Sequence, residues 1–90
     1  MWGDSKNLVY GCTRNPHDTR RSPGGSSGGE GSLLAAAGSV MGIGTDLAGS
    51  VLVPAAYCGI FAHKATSDGG ENLEQYNCGR TMTRLLKTCH

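Results

Sequence analysis

Glycine is packed into one stretch of this sequence, from Gly24 to Gly49, and that stretch limits what the chain can become. The 90 residues hold 15 glycines, more than double the usual share of about 7%. Glycine weakens the interior of a helix or strand, but it also lets backbone approach backbone closely. Two readings of Gly24 to Gly31 (GGSSGGEG) compete: a flexible Gly/Ser linker, or a site of close backbone approach. A linker joins two independent domains, and a chain of this length leaves no room for one on either side. The following residues also oppose a linker. Ser27-Gly28-Gly29-Glu30 has the S-x-x-E spacing of a capping box. Leu33, Leu34, Ala37 and Met41 then recur at helical spacing, with Ala36 and Val40 widening the face. The pattern predicts a glycine loop leading into an apolar, buried helix that closes near Gly42.

The rest of the chain supports an α/β reading. Asn7-Leu8-Val9-Tyr10 reads as a short strand stopped by Gly11, and Asn15-Pro16-His17-Asp18 as a turn. Arg20 and Arg21 read as solvated surface. Gly42 to Asp46 reads as a short buried strand, and Leu47 to Ser50 as a tight turn of mostly small residues. Val51 to Tyr57 is apolar with Pro54 inside it, which fits the first turn of a helix starting near Ser50 and closed by Gly59. Ile60 to Lys64 reads as a second strand. Loop, helix, strand, turn, helix, strand is an α/β order. From Ser67 onward the sequence turns polar, and Thr81 to Leu86 suggests one or two helical turns.

Composition removes several classes of function. Eight basic residues face seven acidic ones, and no basic stripe with interleaved aromatics offers a footprint for nucleic acid. Cys12, Cys58, Cys78 and Cys89 contain no Cys-x-x-Cys pair, so no metal site is expected and free thiols in a reducing, intracellular compartment are. The Met1-Trp2 start has neither the basic nor the apolar region of a secretory signal. Leu33 to Ile43, the longest apolar stretch, is broken by Gly38, Ser39 and Gly42, so no membrane span is expected. The glycine loop lacks the Gly-Lys-Ser/Thr of a phosphate-binding loop.

The loop and the turn together form a more specific pattern. Pro23-Gly24-Gly25-Ser26-Ser27-Gly28-Gly29-Glu30-Gly31, then Gly44-Thr45-Asp46-Leu47-Ala48-Gly49-Ser50, then Pro54 and Gly59 to Lys64, resembles the amidase signature family. The run from Met1 through Tyr10-Gly11 and Thr13 to Asp18 is most like its fatty-acid amide hydrolase 2 subgroup. The resemblance covers residues 1 to about 66, leaving 67–90 as a divergent tail. It implies a fragment of an α/β fold, a mixed sheet flanked by helices, incomplete on its own. It also implies hydrolysis of a small-molecule carboxylic amide, fatty-acyl amides included, with no cofactor, and membrane association in full-length relatives.

By the same resemblance, Ser50 matches the nucleophile and Ser26 the bridging serine, which follows a cis Gly25–Ser26 peptide bond. Ser26 would pass the proton of Ser50 to a neutral lysine, the Ser-Lys variant of activated-nucleophile chemistry. The backbone amides of Leu47, Ala48, Gly49 and Ser50 match the oxyanion hole. Read without the family, Ser26 is a loop serine and Ser50 a helix N-cap. Asp46 reads as an acceptor that organises the turn, and Lys64 does not match the catalytic lysine. That lysine belongs well upstream of Ser26, where only Lys6 stands. Leu52 replaces the family's arginine and Ala65 its proline. An alternative reading is therefore a non-catalytic remnant.

Overall fold

The computed structural model describes residues 3–64 and 82–86. Its elements are β1 (Lys6–Asn7), β2 (Gly11–Cys12), α1 (Gly28–Ala35), β3 (Met41–Thr45), α2 (Leu52–Cys58), β4 (Phe61–Lys64) and β5 (Met82–Leu86). The predicted order of glycine loop, helix, strand, turn, helix and strand is present.

At the start of the chain the predicted strand Asn7–Tyr10 is instead a small hairpin. β1 and β2 pair antiparallel, with Lys6 opposite Cys12. The Asn7 side chain accepts the amides of Val9 and Tyr10 at 3.0 and 2.7 Å. That local turn competes with an extended strand, and it leaves Leu8, Val9 and Tyr10 exposed.

α1 is shorter than its periodicity suggested. It stops at Ala35, because Ala37 adopts φ 65° and the chain leaves the helical path. The Gly38 amide bonds the Leu33 carbonyl at 2.8 Å, and the Ala37 amide bonds that of Leu34 at 3.0 Å. These two bonds form a Schellman motif, with alanine at the position that usually holds glycine. Met41 therefore belongs to β3, not to the helix. The capping box does not form: Ser27 is the N-cap residue but makes no side-chain cap bond. Its hydroxyl lies beside β3, where a Cβ built on Gly44 would stand 2.7 Å away. Glu30 likewise packs over Gly42. Tertiary packing has taken both side chains from the local motif.

β3 is a strand, as expected, but it is not buried throughout. Gly42 is buried and Gly44 half-buried, while Met41, Ile43 and Thr45 are exposed. The glycines mark the face on which the helices approach closely. A Cβ at Gly44 would also stand 2.7 Å from Val51 Cγ2.

The second helix begins at Leu52 rather than Ser50 and ends at Gly59, which is left-handed at φ 66° as its identity predicted. β5 lies between β3 and β4 and runs antiparallel to both, with Arg84 opposite Ile43 on one side and His63 on the other. It follows that β3 and β4 run parallel, joined through α2. The helical turns suggested at Thr81–Leu86 are thus replaced by a strand, because the two parallel strands leave one open slot between them. The expectation for residues 67–81 lies outside the described residues. Leu34, Val51, Ala55 and Ile60 form the core, joined by Ala35 and Ala62. This core packs the two helices against the sheet. No described helix is long and apolar enough to cross a membrane.

Candidate active site

Asp46 leaves the end of β3 and is buried. Its carboxylate organises the whole turn that follows. Oδ1 accepts the Gly49 amide at 2.9 Å, and Oδ2 accepts the amides of Val51 and Leu52 at 2.8 and 3.0 Å. Lys64 Nζ, at the end of β4, donates to Oδ1 at 2.7 Å and to the Leu47 carbonyl at 3.5 Å. Parallel strands joined through a helix end on the same side of a sheet, which brings a residue after β3 next to the last residue of β4. Burial alone would raise the Asp46 pKa. The Lys64 ammonium and the three amides outweigh it and hold the carboxyl well below the usual carboxylate range. The predicted role of Asp46 as a turn-organising acceptor is what the geometry shows. It is Asp46, not Ser50, that caps α2.

The glycine loop approaches this turn from the other side. The Ser27 amide donates to the Ser50 carbonyl at 3.1 Å. Gly24 and Gly25 have φ of 83° and 58°, a region that side chains disfavour. Close approach forbids a larger residue as well: a Cβ on Gly24 would stand 2.9 Å from Tyr57 Cδ2, and one on Gly25 would stand 3.3 Å from Pro54 Cδ. The loop is a packed backbone site and not a linker.

The turn and the loop flank an open cavity of about 370 Å³ lined by Gly3, Asp4, Gly25, Ser26, Ala48, Gly49, Ser50 and Val53. Ser26 and Ser50, distant in sequence, therefore line one cavity. No hydrogen bond joins their hydroxyls among the described residues. Two further details depart from the family-based expectation. There is no cis peptide among the described residues, so the Gly25–Ser26 bond is trans. A cis bond without proline costs about 3–4 kcal/mol and persists only where its surroundings impose it; here the positive φ of Gly24 and Gly25 turns the chain instead. Of the four amides matched to an oxyanion hole, that of Gly49 is bonded to Asp46. The amides of Leu47, Ala48 and Ser50 have no acceptor among the described residues.

Two supports of the site were not legible in the sequence. The Asn15–Asp18 turn was predicted, but its task was not: buried Asn15 donates Nδ2–H to the Tyr57 carbonyl at 2.8 Å, and His17 Nε2 bonds the Cys58 carbonyl at 2.9 Å. Together they satisfy the last carbonyls of α2. Ser5 donates to the Gly25 carbonyl at 2.8 Å. Both are contacts between distant residues with no local pattern. Cys58 is buried, which raises its thiol pKa and makes it a poor nucleophile. Arg20 and Arg21 are exposed, as expected, and both pair with Asp18.

The Amidase family profile matches residues 1–69, so the chain that carries this glycine loop and carboxylate-organised turn belongs to the amidase family. Among curated proteins the chain is similar to fatty-acid amide hydrolase 2-A of Danio rerio, 51% identical over 76 residues, covering 84% of this chain and 14% of the relative. It is 49% identical over the same length to fatty-acid amide hydrolase 2 of Homo sapiens, again with 84% and 14% covered. The chain thus spans about one seventh of the length of these relatives. A solved structure described as an inhibitor-bound vestigial complex that reveals the origins of an s-triazine catabolic enzyme aligns with a TM-score of 0.70 at 35% identity, over 92% of this chain and 19% of that one.

Proposed function

We propose that residues 1–66 are the serine-bearing part of an amide hydrolase that cleaves carboxylic amides, fatty-acyl amides among them. Ser50 is the nucleophile, and Ser26 relays its proton to a lysine supplied from outside the matched residues. The amides of Leu47, Ala48 and Ser50 face the developing oxyanion, while that of Gly49 stays with Asp46 and holds the turn. The reading is carried by one observation: Ser26 and Ser50 line a single cavity together with Ala48 and Gly49. The similarity to fatty-acid amide hydrolases supports the substrate class. The mechanism needs no cofactor. A serine hydroxyl without a base is a weak nucleophile at neutral pH, so the chain by itself hydrolyses no amide.

A second reading, a non-catalytic remnant, is favoured by a separate observation. Among the described residues no lysine lines the cavity, and Lys64 is committed to Asp46. The test is a chimera in which residues 1–66 replace the matching stretch of the zebrafish relative, assayed on a fatty-acyl anilide. The proposal expects hydrolysis that falls about 10⁴-fold or more with Ser50→Ala and is also lowered by Ser26→Ala. Hydrolysis unchanged by Ser50→Ala overturns it. A chimera that stays inert until Leu52→Arg and Ala65→Pro are introduced assigns the chain to the remnant reading.

A further inference from the structure

We propose that Ser5 is a positioning residue of the site: its hydroxyl fixes the Gly25–Ser26 peptide and so sets where the Ser26 side chain points. The inference rests on the proposed role of Ser26 as the proton relay. The relay needs a hydroxyl held to within a few tenths of an ångström, yet Ser26 follows two consecutive glycines. Glycine has the widest backbone freedom of any residue, and both adopt positive φ here. Something outside the loop must remove that freedom.

Ser5 is placed to do so. Its Oγ–H donates to the Gly25 carbonyl at 2.8 Å, and that carbonyl also accepts the Gly28 amide at 3.2 Å. The Gly25 carbonyl and the Ser26 amide belong to one rigid peptide plane, so holding the oxygen orients the nitrogen and the start of the Ser26 side chain. Ser5 is itself anchored. Its carbonyl accepts the Thr13 amide at 2.8 Å, which continues the β1–β2 hairpin. Next to it, Ser22 Oγ donates to the Gly3 carbonyl at 2.8 Å and accepts the Gly24 amide at 3.0 Å. The Gly3–Ser5 strip is thereby tied to the glycine loop at two points, and Gly3 and Asp4 form one wall of the cavity. The fit leaves no slack, because a Cβ on Gly28 would collide with Ser5 Oγ.

The test compares the full 90-residue chain with Ser5→Ala, Ser5→Thr and Ser5→Cys by heteronuclear NMR. It reads the Gly25 carbonyl carbon shift and the exchange rates of the Ser27 and Gly28 amides. In the parent, the Gly25 carbonyl shift is expected to be that of a hydrogen-bonded carbonyl. Ser5→Ala moves it and speeds exchange at Ser27 and Gly28 roughly five- to tenfold, the effect of losing one neutral hydrogen bond. Amides near His17 and Asp46 keep their rates. Ser5→Thr, which retains the hydroxyl, restores the shift, and Ser5→Cys does so only in part. A random-coil Gly25 shift in the parent, or an unchanged shift in Ser5→Ala, overturns the proposal. So does a loss of protection spread evenly over the chain that Thr does not rescue, since that describes a merely structural residue. These signals do not depend on turnover, so loss of the hydrolase reading through the Ser50→Ala chimera leaves them in place.

Discussion

The two segments that bring Ser26 and Ser50 together are held in opposite ways. The Asp46–Leu52 turn is organised from within by one buried carboxylate, which binds three amides of its own turn and one lysine. The Pro23–Ser27 loop is held from outside, by Ser5, by the Ser50 carbonyl and by the side chains of Tyr57 and Pro54 pressed against its glycines. The first segment concentrates its stability in one titratable group. The second spreads it over weak contacts and depends on the absence of side chains. Charge and pH should therefore act on the turn, and volume on the loop.

The most severe way to break this contrast is Asp46→Ala. It leaves the Lys64 ammonium and three amides without their acceptor, and losing one partner of a buried ion pair costs about 3–5 kcal/mol. Introduced into the zebrafish chimera, it is expected to weaken the urea transition followed by circular dichroism by that amount. On the loop side, Gly24→Ala combines a disfavoured φ with a Cβ 2.9 Å from Tyr57. It is expected to cost about 2 kcal/mol in the same assay, and Tyr57→Ala in the same chain should relieve the steric part. An unaffected Gly24→Ala would mean that the loop is not packed as described.

Lys64→Met sharpens the comparison further. Lys64 is about one-third exposed, and Asp46 keeps its three amides, so the expected cost is about 1 kcal/mol. The sign of the pH effect follows from the lowered Asp46 pKa. Its stabilisation is complete above the unfolded carboxylate value, about 3.9. It is lost as pH falls from there through the folded value. Lys64→Met raises the folded value, so the variant loses less stability between pH 5 and acid than the parent does. An equal loss in both would remove Lys64 from the network. The smallest expected effect lies outside both segments: Ala37→Gly relieves a left-handed alanine at the end of α1 and should stabilise the chain by about 1 kcal/mol.

Legibility in the sequence follows the same division. Features with a local cause were readable. Gly59 closed α2 as a left-handed residue, Pro54 fell in the first turn, and Asp46 proved to organise its own turn. The family pattern also singled out Ser26 and Ser50, and both line the cavity. Features with a distant cause were not readable. Ala36 and Ala37 are good helix formers, and only the need to enter β3 explains why α1 stops before them. Ser27 and Glu30 spell a capping box, but the strand beneath them draws both side chains away. The inward face of β3 is glycine, so its alternation carried no hydrophobic signal. β5 is a strand because of the slot between β3 and β4, not because of its own residues.

The clamp on the end of α2 sets an order of events in time. Asn15 and His17 bind carbonyls 42 and 41 residues further along the chain. During synthesis from the N-terminus, the Asn15–Asp18 turn leaves the ribosome long before Tyr57 and Cys58 exist. Its polar groups must wait in water until the whole helix has emerged. Pairing across such a separation is slow, because the loop must close before any contact rewards it. The start of this chain is therefore among the last parts to reach its final place.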